Sequence, residues 1–140
     1  STEDVQKSKE AAQAMIDKGV DLIGGGGNAS NAGMIKACEE AGVYAFGELE
    51  QQNLAPETVI FCNMNNIENL VLQAVKDTID GDFQGCIREY GISADVAQLT
   101  EYNSHVPQEV KDKLAECMDQ MRSGELDIPM ITEISDDIIH

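Results

Sequence analysis

Four consecutive glycines, Gly24, Gly25, Gly26 and Gly27, stand directly after the apolar run Val20-Asp21-Leu22-Ile23 and directly before a stretch with helical spacing. That placement constrains the fold more than anything else in the chain. Glycines let the backbone take positive φ and approach a ligand closely, and the helix start that follows offers free N–H groups and a positive dipole end. Upstream, a helix is expected over residues 4–18, with Val5, Ala12, Met15 and Ile16 on one face and Gly19 at its C′ position. Downstream, a second helix is expected from Ser30 or Asn31, carrying Met34, Ile35 and Cys38 and closed by Gly42, followed by the strand Val43-Tyr44-Ala45-Phe46. Helix, strand, glycine loop, helix, strand is the order of a parallel α/β sheet with right-handed crossovers. Ligands of such sheets bind at the carboxyl ends of the strands, here residues 24–31 and 47–52.

Beyond Pro56 a strand is expected over residues 58–62, then a polar connector, Asn63-Met64-Asn65-Asn66. A helix over residues 67–80 should turn Leu70, Val71, Ala74 and Val75 inward. Residues 86–90 and 95–99 read as two short strands, and a last helix opens with Pro107 at N1, runs to Ser123 and ends at Gly124. One further short strand is expected around residues 126–131. The chain starts inside a helix and offers about four clear strands against the five or six of an average sheet, so further elements are expected upstream or from another chain.

Composition removes several classes of function. The 140 residues fit one domain, and 42% hydrophobic content argues for a globular chain. A net charge of −17 repels phosphate backbones, so nucleic acid is not expected as a partner. Aromatics make up 4% with no Trp, which argues against base-stacking platforms built by this segment alone. No apolar run reaches about 18 residues, as a membrane span needs, and no signal-peptide pattern is present. The cysteines Cys38, Cys62, Cys86 and Cys117 form no CxxC pair and are read as free, largely buried thiols, which favours a reducing setting. The histidines are His105, expected in a surface loop, and the terminal His140, too few for a metal site or a Ser-His-Asp triad.

The loop of residues 24–31 suits hydroxyls, a carboxylate or a phosphate. It matches neither nucleotide fingerprint: GxGxxG would need glycine where Ala29 stands, and a Walker loop would need a lysine. Its structural alternative is a strand-to-helix turn with Ser30 or Asn31 as N-cap. Glu48 and Glu50 follow the next strand at the same edge, where carboxylates accept hydrogen bonds from hydroxyls or amines, or are merely solvated. Asn66 fits an N-cap of the following helix, and Asn63 and Asn65 fit cleft or hinge positions. No nucleophile accompanies the two glutamates, so catalysis is not expected.

The order of these residues resembles the basic membrane protein family of ABC-transporter solute-binding lipoproteins. The likeness runs through residues 11–23, the glycine-bearing loop, the strand up to Glu48, Glu50-Gln51, Pro56 with Thr58-Val59-Ile60, Gly81-Asp82-Phe83-Gln84-Gly85, Val106-Pro107 and Gly124-Glu125-Leu126. It implies a type I periplasmic-binding-protein fold: a three-layer parallel sheet flanked by helices, with two lobes hinged around a ligand. The chain would match the C-terminal half, an incomplete two-lobe arrangement. Residues 1–62 would belong to a ligand-binding lobe, and residues 63–140 would cross back to the other lobe and form the tail. The family's Gly-Gly-Thr-Gly loop falls on Asn28-Ala29-Ser30-Asn31, its ribose-binding aspartate on Glu48 and its lysine on Asn65. The resemblance therefore implies a small polar, nucleoside-like or related ligand held by Gly26, Gly27, Asn28, Ser30 and Asn31, with Glu48 and Asn65 opposite. It implies no cofactor, no metal and no bond chemistry. A permease is the implied partner at full length, with lipoprotein anchoring outside the cytoplasm, and a homodimer would cover exposed sheet edges. A natively short chain would instead be cytoplasmic, and a metabolite-sensing regulatory domain on the same fold is the alternative.

Overall fold

The computed structural model describes residues 4–129. Helix α1 (Val5–Ile16) opens at Asp4, whose carboxylate accepts the Lys7 backbone N–H at 3.1 Å, and closes just before Gly19 at φ +90°. Strand β1 (Leu22–Gly24) enters the glycine loop, helix α2 (Asn28–Ala41) follows, and Gly42 caps it in the left-handed region at φ +71°. Strands β2 (Tyr44–Glu48) and β3 (Val59–Asn65) come next, joined by one 3-10 turn at Gln51–Leu54. Helix α3 (Ile67–Ile79), strand β4 (Ala97–Leu99) and helix α4 (Gln108–Ser123) complete the described fold.

The four strands form one sheet in sequence order. β1, β2 and β3 are parallel, and β4 runs antiparallel to β3. Ala45 pairs with Val59 and Phe46 with Phe61, so the register passes over Ile60 and β3 bulges there. Along β2, Ala45 and Gly47 are buried while Tyr44 and Phe46 are exposed, the period-two signature of a sheet covered on one face. The covered face carries Ile23, Ala45, Val59 and Cys62 against Met34, Ile35, Ala37 and Cys38 of α2. α1 packs on α2 so closely that a Cβ on Gly33 would lie 2.0 Å from the Val5 carbonyl oxygen. Consecutive parallel strands that always step the same way put their right-handed crossovers on one face. The other face shows Leu22, Tyr44 and Phe46 to solvent, which is the incompleteness expected of a partial α/β lobe.

Several expectations need correction, among them Pro107, which is the N-cap of α4 and not its first helical residue. α2 starts at Asn28, not at Ser30 or Asn31; Gly27 takes the cap position with no side-chain cap bond, and Ser30 and Asn31 are buried in the first turns. β3 continues through Asn63, Met64 and Asn65, because β4 offers that stretch an antiparallel partner. Residues 86–90 form no strand: among the described residues no edge pairs with them, and Ile87 is 94% exposed. Instead Arg88 and Tyr90 both bind Asp77 of α3, Tyr90 through its hydroxyl at 2.8 Å. α3 does not bury the apolar stripe expected of it: Val71 and Val75 are about half exposed, and the helix has no buried residue. Residues 126–129 are irregular, and the remainder of the expected terminal strand lies outside the described residues, as does His140.

Cys38 and Cys62 are buried free thiols, Cys86 is exposed and Cys117 half-buried. Burial pushes the Cys38 and Cys62 thiols up in pKa, which disfavours the reactive thiolate. A disulfide-exchange reagent at neutral pH should therefore titrate Cys86 and Cys117 in the native chain, and all four cysteines only in denaturant. Equal reactivity of all four without denaturant would contradict this core.

Candidate functional site

The carboxyl ends of β1 and β2 converge on the glycine loop. Glu48 is the last residue of β2, and its Oε2 accepts the Gly27 backbone N–H at 3.2 Å. Its Oε1 stands over Gly26, where an added Cβ would come within 3.4 Å. Asn31, 3% exposed, reaches back from α2 and donates from Nδ2 to the Gly25 carbonyl and to Gln51 Oε1, each at 3.0 Å. The same Gln51 oxygen accepts the Glu48 backbone N–H at 3.0 Å. Two buried or half-buried amides therefore lock the loop, the start of α2 and the end of β2 into one unit. Its cost in backbone conformation is visible at Gly27, with φ +140°, and at Leu49, a non-glycine residue at φ +55°.

The two glycines closest to this lock are required by contact. A Cβ on Gly25 would sit 2.8 Å from Asn31 Oδ1, and one on Gly47 would sit 2.9 Å from Gln51 Oε1. Gly27 is required by conformation, since L-residues pay about 1–3 kcal/mol in such φ/ψ regions. Gly27→Ala should lower stability by about that amount in urea unfolding, and a neutral result would mean that the loop relaxes without loss.

Of the residues anticipated from sequence, the structure brings Gly26, Gly27, Asn31 and Glu48 together through these contacts. Ser30 is buried in the first turn of α2, and Asn28 begins that helix. Glu50 is exposed and makes no cap bond. Asn65 lies elsewhere: it pairs with Ala97, is exposed, and borders a cavity between β3, β4 and α4. Asn63, not Asn65, is the register partner of Glu48. Asn66 caps α3 as expected, its Oδ1 accepting the Asn69 N–H at 3.0 Å. His105 is exposed, 3.0 Å from a Glu57 carboxylate oxygen and beside the Tyr44 ring.

Sequence reading missed Gln51 as the hub and missed the aromatic row beside the loop. The Phe46 ring covers Gly24 so tightly that a Cβ there would lie 1.8 Å from Cζ. Phe46 stacks on Phe61 with centroids 5.5 Å apart and planes 3° from parallel, and Phe61 meets Tyr102 edge-on at 5.8 Å. The signal was in the alternation: Tyr44, Phe46 and Glu48 fall on one face of a strand. Four of the six aromatic side chains thus gather on the open face of the sheet.

The glycine loop and the Glu48 carboxylate thus meet at the carboxyl ends of β1 and β2, with the Phe46 ring beside them, on a partly parallel α/β sheet. The chain belongs to the family described as ABC transporter substrate-binding protein, PnrA-like, which it matches over residues 1–132. It is 26% identical over 124 residues to a purine-binding protein of Brucella abortus, covering 88% of this chain and 35% of that protein. It is also 26% identical over 126 residues to a putative ABC transporter glucose-binding protein of Haloferax volcanii, covering 89% of this chain and 32% of that one. The chain therefore spans about a third of the length of these relatives. In fold it is similar to a transcriptional activator of the comK gene from Bacillus halodurans, with a TM-score of 0.79 at 21% identity, over 88% of this chain and 44% of the other. It is similar also to an ABC transporter solute-binding protein of Conexibacter woesei, with a TM-score of 0.69 at 19% identity, over 90% of this chain and 43% of the other. At these identities the structural likeness describes the fold alone.

Proposed function

We propose that this chain forms part of the ligand site of an ABC-transporter solute-binding protein and takes a small, neutral, hydroxyl-bearing ligand, a nucleoside or a sugar. The single observation that supports the neutral class is the bond between Gly27 N–H and the Glu48 carboxylate. A helix N-terminus attracts anions, but here the protein's own carboxylate already sits at that end. A phosphate or carboxylate ligand would meet a like charge, whereas hydroxyls find an acceptor. The glucose-binding relative fits the sugar branch of this class, and the purine-binding relative is named for the base that a purine nucleoside carries.

Gly26, Gly27, Asn28, Ser30 and Asn31 form the loop side of the site in this reading, with Glu48 as the acceptor and Asn65 reached only across the cleft. The chain divides near residues 62 and 63, the first part holding the ligand and the second crossing toward the other lobe. The mechanism is closure of lobes on ligand without bond chemistry. A permease is the partner, and a lipoprotein anchor holds the whole protein outside the cytoplasm, where the family usually acts. The open sheet face and the uncovered α3 support a homodimer of the chain when it stands alone; light scattering that finds a monomer at micromolar concentration would count against it. No feature of the site favours a cytoplasmic regulatory role.

The test is a titration followed through backbone amide NMR signals. Adenosine, ribose and glucose are compared with adenosine 5′-monophosphate. A neutral ligand should move the signals of residues 25–27 and 48, and the monophosphate should move them less. A stronger response to the monophosphate would overturn the neutral class, and no response to any of the four would overturn the ligand role of the loop.

A further inference from the structure

Three of the chain's six methionines and one of its four cysteines line a single cavity away from the glycine loop. The cavity, about 290 Å³, lies between β3, β4 and α4. Cys117, Met118 and Met121 border it from α4, and Met64 from β3. Cys117 and Met121 are four residues apart, and Met118 and Met121 are three apart, so all three share one helix stripe. All four side chains are half-buried, open enough for an ion to reach, and Cys117 is a free thiol. Among the described residues no group of three or more His, Cys, Asp or Glu could hold a harder metal. A thiol with thioethers is the donor set that selects soft monovalent ions.

We propose that this cavity is a binding site for a soft monovalent metal ion of the Cu(I) class, with the Cys117 thiolate and the Met64, Met118 and Met121 thioethers as ligands. On binding, the Cys117 S–H bond breaks, its proton passes to solvent and an S–Cu bond forms. Copper stays Cu(I), and no electron moves. The net charge of −17 favours a cation over an anion. The competing explanation is that the sulfurs fill an irregular apolar gap, which methionine does well.

The test uses the Cys86→Ser chain, because the exposed Cys86 would bind copper by itself. Under anaerobic, reducing conditions the protein competes with a chromogenic Cu(I) chelator. One equivalent of Cu(I) should leave the chelator. Cys117→Ser in that background should lower the affinity about a hundredfold or more, and Met118→Leu or Met121→Leu about tenfold each. Leu replaces Met at nearly constant volume, so an unchanged circular dichroism spectrum confirms that the fold persists. The proposal is overturned if no copper leaves the chelator, if Cys117→Ser binds as before, or if both Met→Leu variants keep the parent affinity. The last result would leave a bare thiol and sulfurs that serve as packing.

Discussion

Gly33→Ala should cost about 3 kcal/mol, at the upper end of the range for forcing extra volume into a packed interface. The new Cβ would lie 2.0 Å from the Val5 carbonyl oxygen and 3.1 Å from the Lys9 nitrogen. Both are backbone atoms, so no rotamer change relieves the clash and α1 must move off α2. That motion uncovers Ala12, a fully buried member of the core. A loss of about 3 kcal/mol lowers the folding constant more than a hundredfold, at about 1.4 kcal/mol per factor of ten. Urea midpoints measure it, with Gly85→Ala as the control, since no atom lies within 4 Å of a Cβ there. If Gly33→Ala unfolds at the same midpoint as Gly85→Ala, α1 is not seated on α2 as described.

Glu48→Gln should show the largest change in ligand binding. The amide keeps the shape and can still accept the Gly27 N–H, so folding is expected to change little. What it loses is the charge-assisted bond to a ligand hydroxyl, about 1.5–3 kcal/mol or roughly 10- to 150-fold in affinity. The sign should reverse for anions. Without the negative charge at the N-terminus of α2, phosphate is no longer repelled there, so adenosine 5′-monophosphate should bind the variant more tightly than the parent. Calorimetry or the amide titration reads both arms. Weaker nucleoside binding together with unchanged phosphate binding would mean that Glu48 shapes the loop without setting its charge preference.

Much of the first half was legible because its signals are local. Gly19 and Gly42 mark two helix ends, the apolar runs mark strands, and the four glycines mark the turn between them. The carboxylate at residue 48 was legible from its place just beyond a strand. The start of α2 was misread because Ser30 and Asn31 resemble caps; Asn31 is instead drawn into a long-range lock with Gln51 that no short window reveals. The second half was harder for a related reason. Residues 86–90 have strand-like composition, but a strand exists only when an edge accepts it, and among the described residues none does. α3 has the periodicity of a core helix, yet among the described residues its apolar face meets no core. Periodicity reports what a segment could bury and does not report what is present to bury it.

The sequence-ordered sheet has a consequence for how the chain reaches its structure. β1 pairs with β2 and β2 with β3, so these contacts close shorter loops than the β3–β4 pairing does. α1, α2 and these three strands can therefore gather as an early nucleus around Ala45 and Val59. β4 joins β3 only after the long excursion through α3 has been brought back, and α4 follows β4. The glycine loop, set between β1 and α2, belongs to this low-separation part of the fold, and β4 with α4 to the part closed over the greater chain distance.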